Sequence, residues 1–298
     1  MSAACDSVFV PKEWLLQDPR ETLAKVTSRL SNPLLRKGAH LYAPIFYKHA
    51  AITMIYTSNK LERKLPLSSS VHDTYKILHQ LYEDDTDDLH AAPLFSWNAE
   101  GEIPKQVSIQ MIQHLRAFKF LMHHVVNPLT VEVILKTHEV LMAGAVDDAG
   151  AFIKNGTLRN HPSHAGTHVY PEGDPALLRA SLIRIVEQYN ALMSEASPAL
   201  VEPSIHLFYN TITLHPFQNG NGRLCRLLFA FAMIQAGVPF PVALTTGHSR
   251  ARKHYMKAIL LARRGNCREL ATMALMSVDY SLSNFLENIR LTNTPTLQ

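Results

Sequence analysis

A chain of 298 residues, 47% of them hydrophobic, is long enough to bury a sizeable core, as one large domain or two small ones. Its formal net charge of +4 comes without a Lys/Arg run of the kind that grips nucleic acid, and its three scattered cysteines, Cys5, Cys225 and Cys267, exclude a disulfide framework or a CxxC metal site. No basic segment leads into an apolar one at the N-terminus and no run approaches the roughly 18 apolar residues of a membrane span, so the sequence reads as a cytoplasmic protein without membrane or nucleic-acid partners.

Apolar residues recur mostly at helical spacing, with no internal repeat, and predict an all-α chain. The prolines of "QDPRE" and "SNPLL" start two short helices, and a long amphipathic helix runs from about Pro44 through "YAPIFYKHAAITMIYTSNKLERK". A helix through "HDTYKILHQLYE" precedes "EDDTDDLH", which lacks the Gly and terminal Glu of a calcium loop and reads as a solvated loop. "VSIQMIQHLRAFKFLMHHV" and "TVEVILKTHEVLMAG" read as core helices. Residues 149–175 differ: rich in Gly, Pro, His and Asn, with β-type pairs such as "THVY", they predict a loop carrying a short hairpin. His161, His164 and His168 within it have no carboxylate or thiol at zinc-site spacing, so no metal is expected there. Further helices follow at "DPALLRASLIRIVEQYNALMSE", "EPSIHLFYNTITL", "LLFAFAMIQAG", "SRARKHYMKAILLARRG" and "CRELATMALMSVDYSLSNFLENIR". The sum is a bundle of about eight or more helices with one irregular flap, and the cations of its basic C-terminal helix read as a solvated face.

The segment "HPFQNGNGRLCR", residues 215–226, concentrates the chemistry. Pro216 disfavours helical geometry at His215, so the preceding helix should stop there, and the next should begin near Gly222 or Arg223 and run to Gly237. Glycines 220 and 222 let backbone N–H groups converge into an anion seat at a helix N-terminus. The helix dipole makes the first turn a poor place for cations, yet Arg223 and Arg226 stand there without a neighbouring acid. Something anionic should sit between them, a ligand phosphate or a carboxylate from elsewhere in the chain. His215, just before this seat, is placed to take a proton from an attacking hydroxyl, whereas Phe217 should anchor the turn in the core. No GK[ST] is present, which excludes a P-loop.

At these residues the chain resembles the Fic family, whose motif H-x-F-x-[D/E]-G-N-G-R-x-x-R is matched at every defined position except Asn219. The likeness extends over most of residues 105–290, leaving 1–104 as an N-terminal helical region and 291–298 as a tail. It implies a Fic fold that transfers AMP from ATP, with Mg²⁺ or Mn²⁺, to a Ser, Thr or Tyr hydroxyl of a target protein. By that resemblance His215 is the general base, the turn from Gly220 to Gly222 cradles phosphates, Asn221 helps fix them, and Arg223 and Arg226 bind the triphosphate. The flap at Thr167, His168, Val169 and Tyr170 would hold the target segment by strand addition. Many relatives carry an inhibitory [S/T]-x-x-x-E-[G/N] helix, and "SNKLER" offers Ser58 and Glu62 at that spacing, with Arg63 departing from the pattern. Glu62 would bridge Arg226 where the γ-phosphate belongs, within one chain or across a homodimer. Asn219 stands where the family has an acidic Mg²⁺ ligand, so metal affinity and rate should drop. Transfer of phosphate, UMP or phosphocholine, removal of AMP with Glu62 orienting water, and a nucleotide-binding scaffold with faded catalysis are the competing readings; His215 argues against the last.

Overall fold

The structure, a computed structural model, describes residues 19–32, 43–62, 78–79, 82–83, 105–146, 150–165, 168–195, 201–245 and 249–293. Among them are nine helices and one two-stranded antiparallel sheet, a mainly helical fold with a short hairpin. Helix α1 (Pro19–Leu30) starts at the proline of "QDPRE", and α2 (Ala43–Leu61) is the long helix expected from Pro44. Helices α3 (Lys105–His123) and α4 (Val131–Met142) precede strands β1 (Ser163–Ala165) and β2 (His168–Tyr170). Then come α5 (Pro175–Met193), α6 (Glu202–Leu214), α7 (Asn221–Gln235), α8 (Ser249–Arg263) and α9 (Arg268–Asn293). The helix expected after Asn32 and the acidic stretch beyond Glu83 lie outside the described residues; of the "HDTYKILHQLYE" helix, residues 78–79 and 82–83 are described, as helix. Among the described residues no helix is long and apolar enough to cross a membrane.

Helix ends follow from local chemistry. Thr130 caps α4 by accepting from the Val133 N–H at 3.2 Å, and Asp174 caps α5 through the Ala176 N–H at 2.8 Å with Pro175 in the first turn. Helix α7 closes as expected around Gly237: the Val238 N–H returns to the Met233 carbonyl and the Gly237 N–H to that of Ile234, both at 3.0 Å.

Two hydrophobic clusters form the interior, and α7 belongs to both. Leu224, Leu227, Leu228 and Phe231 pack with α2 to α5, while Cys225, Phe229 and Met233 pack with α6, α8 and α9. A helix apolar on every side is stable only when packed on every side, and each fully buried Leu or Phe is worth ~1.5–3 kcal/mol. The segment that follows the motif is therefore the central strut of the fold, which fixes where the motif sits. Helix α2 departs from its amphipathic reading: Ala51, Ile52 and the whole stretch from Met54 to Asn59 are buried, because α2 runs against both α3 and α7. Its C-terminal end points at the N-terminus of α7, through the contacts described next.

Candidate functional site

The turn between α6 and α7 is held in one shape by its own side chains. Helix α6 stops at His215, the one non-glycine residue with positive φ among the described residues (φ 51°, ψ 58°), whose N–H still bonds the Thr211 carbonyl at 3.0 Å. A left-handed conformation is uncommon for a residue with a Cβ, so the surroundings must hold it there. Phe217 is fully buried and stacks on His138, ring centres 3.6 Å apart and 8° from parallel. Asn221 closes the turn reciprocally: its Oδ1 accepts from the Phe217 N–H at 3.0 Å and its Nδ2 donates to the Phe217 carbonyl at 2.7 Å. The Asn221 amide thus shapes the turn in which a phosphate is expected. Gly220, in the left-handed region at φ 78°, accepts from the Leu224 N–H at 3.0 Å, so α7 begins at Asn221, earlier than expected.

The two arginines have different partners. Arg226, 3% exposed, donates from Nε to Ser58 Oγ at 2.7 Å and from Nη2 to the Ser58 carbonyl at 3.1 Å and to Glu62 Oε1 at 2.6 Å. Its Nη1 donates to Tyr255 Oη at 3.2 Å. Arg223, equally buried, has neutral acceptors among the described residues: Gln110 Oε1 at 3.4 Å and Met142 Sδ at 3.2 Å. Burial pulls its pKa down to about 10. One carboxylate therefore pairs with Arg226 alone instead of sitting between both cations. Burial alone would raise the Glu62 pKa, but the charge and hydrogen bond of Arg226, with Arg223 and Arg252 behind, hold it below the ordinary carboxyl range. Glu62 also lies against Gly222, where any Cβ would collide with its carboxylate. The missing side chain of Gly222 makes the room in which an anion rests on the first turn of α7. The end of α2 is tied down once more by Arg252, whose Nε donates to the Leu61 carbonyl at 2.9 Å, a cation on helix C-terminal oxygen.

On the opposite side, His215 is 9% exposed and stacks under Tyr170, centroids 4.0 Å apart and 13° from parallel. Arg263 lies 5.3 Å from the centre of the Tyr170 ring and donates to its hydroxyl. Burial, then the charge of Arg159, push the His215 pKa down to about 4, so the imidazole is neutral and able to accept a proton at physiological pH. The hairpin pairs Ser163 with Tyr170, His164 with Val169 and Ala165 with His168. Alternation along β2 turns Tyr170 inward onto His215 and leaves Val169 exposed, so of the flap residues expected to hold a target, Tyr170 packs on His215. Thr167 lies outside the described residues.

A small cavity of about 80 Å³ lies beside Glu62 on the first turn of α7, lined also by Gln110, Met142, Ile153, Asn219 and Arg223. Asn219 is exposed, and among the described residues no three of His, Cys, Asp and Glu converge to hold a metal ion. One neutral oxygen suits a Mg²⁺ carried in by phosphate groups, which keeps most of its other ligands, better than a dedicated protein site. Three residues at the centre of this arrangement escaped the sequence reading. His138 accepts from the Gly156 N–H on Nδ1 at 3.0 Å and therefore donates from Nε2 to the Asn219 carbonyl at 2.9 Å, fixing the turn from behind. Gln110 and Arg159 are the others. A histidine on an apolar helix carries no distinguishing signal, but an arginine in "GTLRN" with no acid nearby is the kind of unexplained cation that the motif arginines also were.

Residues 128–233 match the Fic/DOC family. A Fido domain-containing protein of Dictyostelium discoideum is 26% identical over 147 residues, 48% of this chain and 99% of its own. The protein adenylyltransferase Fic of Drosophila persimilis is 31% identical over 175 residues, 57% of this chain but 32% of its own length, so the chain spans about a third of that relative. In fold, the crystal structure of a Fic domain containing signaling protein from Bacteroides thetaiotaomicron superposes with a TM-score of 0.67 at 18% identity, covering 92% of this chain and 97% of that one. Fic-1 of C. elegans, residues 134–508, gives a TM-score of 0.63 at 17% identity over 92% of this chain and 74% of that one. Together these likenesses show a Fic-type fold and a match to the Fic/DOC family over residues 128–233, the stretch that holds the buried turn, the two arginines and the hairpin.

Proposed function

We propose that the protein is an adenylyltransferase that moves AMP from ATP to a Ser, Thr or Tyr hydroxyl of a target protein, and that Glu62 restrains it. The observation that carries this reading is a neutral histidine beside a helix N-terminus whose two buried arginines meet a single carboxylate, bonded to Arg226. In the reaction His215 takes the proton of the target hydroxyl, the hydroxyl oxygen forms a bond to the α-phosphorus, and the bond from that phosphorus to the bridging oxygen breaks, releasing pyrophosphate. Arg223 and Arg226, with the first N–H groups of α7, offset the phosphate charge. For Arg226 to meet a phosphate, the Glu62 carboxylate must leave, since both occupy one seat; this is the restraint. Asn219 would supply a neutral oxygen to phosphate-bound Mg²⁺ or Mn²⁺. Strand β2, with Val169 outward and His168 against Tyr170, would receive the target segment.

Asn219 also favours a second reading, a nucleotide-binding protein without transfer. Intact-mass analysis after incubation with ATP and Mg²⁺ or Mn²⁺ separates the two, using wild type, Glu62→Gly and the Glu62→Gly, His215→Ala double variant. An AMP adduct that grows in Glu62→Gly and vanishes in the double variant supports transfer. ATP binding by Glu62→Gly with no adduct on the chain or on any added protein supports the second reading.

A further inference from the structure

The loop before the hairpin carries a buried cation that the motif does not include. Arg159 is 4% exposed, and all its hydrogen bonds go to backbone carbonyls. Its Nε donates to the His215 carbonyl at 2.7 Å, its Nη2 to that of Leu214 at 3.4 Å, and its own N–H to that of Pro216 at 3.0 Å. Its Nη1 donates to the carbonyls of His161, at 2.8 Å, and Glu172. Those two residues bracket the hairpin, one before β1 and one after β2. The Glu172 carboxylate is turned away, accepting from the N–H groups of Gly173 and Asp174.

One planar guanidinium thus holds both feet of the flap and the carbonyls of Leu214 and His215, the latter in left-handed conformation, while the Arg159 N–H holds that of Pro216. A lysine has one point charge and no fixed fork, so it cannot serve acceptors in these directions together. We infer that Arg159 is a positioning residue that locks the hairpin and His215 into one frame, so that a target segment laid on β2 arrives in register with the base. The inference deepens the transferase reading and rests on it for its purpose, but not for its test.

Around His215 stand Arg159 from the loop, Tyr170 from β2, Arg263 from α8 and Glu62 from the end of α2. Of these, Arg159 is the charge that most lowers its pKa. Two variants separate frame from charge. Arg159→Gln removes both; Arg159→Lys keeps the charge and loses the fork. Hydrogen exchange read by mass spectrometry on hairpin residues 163–170, and the His215 imidazole titrated by NMR with His215→Ala for assignment, need no transfer activity. The expected result is hairpin exchange at least about tenfold faster in both variants with α7 unchanged. His215 should titrate at higher pH in Arg159→Gln and near the wild-type value in Arg159→Lys. Unchanged hairpin exchange in Arg159→Lys, or acceleration shared equally by α7, overturns the inference. Should Arg159→Gln fail to fold, the lysine variant decides alone. With an adduct-forming Glu62→Gly background, Arg159→Lys should lower kcat roughly tenfold or more while leaving ATP affinity unchanged. An equal loss of ATP affinity would assign Arg159 to the cavity beside Glu62 instead, whereas absence of any adduct before Arg159 is touched would count against the transferase reading alone.

Discussion

The flap side and the α2 side of the turn are held by opposite chemistry. Toward the flap, a buried guanidinium and an aromatic stack grip neutral groups: the carbonyls of Leu214 and His215, and the ring of His215 under Tyr170. Toward α2, the grip is ionic, a carboxylate 37% exposed to solvent on an arginine 4% exposed. Neutral backbone acceptors have no substitute in a ligand, so that side is permanent. An ion pair at a helix N-terminus can be exchanged for any anion of suitable shape, so that side is replaceable. On the proposed function, the difference separates the half of the site that carries geometry from the half that would carry regulation.

The largest effect that would break this division is on the permanent side. His215→Ala should lower transfer by about 10²–10⁴-fold while ATP binding, measured by calorimetry, stays near wild type. Loss of binding in parallel would mean that His215 belongs to the phosphate seat. On the replaceable side, Glu62→Gly should raise adduct formation about tenfold at low ATP, less than a fully buried pair would give because the carboxylate is partly solvated. A slower variant would turn Glu62 from restraint into participant. A smaller effect sharpens the steric half of the contact. Gly222→Ala should destabilise wild type because its Cβ meets the Glu62 carboxylate, and the penalty should shrink by about 1 kcal/mol in Glu62→Gly, read by chemical denaturation. Additive penalties would place the clash elsewhere. Asn219→Asp should give a severalfold gain in Mg²⁺-dependent activity and a lower metal midpoint, by restoring ligand charge at about the cost of one exposed substitution. An unchanged metal titration would remove Asn219 from the metal.

The pH dependence joins both sides with opposite signs. His215, lowered to about 4, stays a competent base until the pH falls through that value, so the acid limb of kcat should lie there. Glu62, depressed by Arg226, contributes its ion pair above the ordinary carboxyl range, and the pair is lost as the pH falls through the depressed folded value. Acid should therefore act on both: it disables the base below about pH 4, and it releases the restraint once the pH falls below the ordinary carboxyl range. An acid limb near pH 6.5 in kcat would show that the imidazole is solvated during turnover.

Much of the fold was legible because its signals are local. Proline and glycine punctuation placed the ends of α1, α5 and α7, and the period of the apolar residues gave the helices between them. The all-round burial of α2 was not legible, since Thr57, Ser58 and Asn59 look like a polar face until Arg226 is known to need Ser58. Within the site, the motif supplied the base, the turn and the arginines, but not how they are held. His138, Gln110 and Arg159 act through backbone carbonyls or single side chains far apart in sequence, and no spacing rule records such contacts. The inward turn of Tyr170 was equally hidden, because which face of a hairpin looks inward depends on register against the rest of the molecule.

Glu62 sits one residue beyond the last turn of a helix whose preceding turns are sealed in the core, and Arg252 holds that last turn through a single carbonyl. Helix ends exchange conformations within about a microsecond, against milliseconds or longer for one enzymatic turnover. On the proposed function, the carboxylate leaves and returns many times per cycle, so it behaves as a tethered competitor at a fixed effective concentration rather than as a gate. Its signature is then kinetic: saturating ATP should overcome it, with wild type and Glu62→Gly converging in kcat and differing in KM.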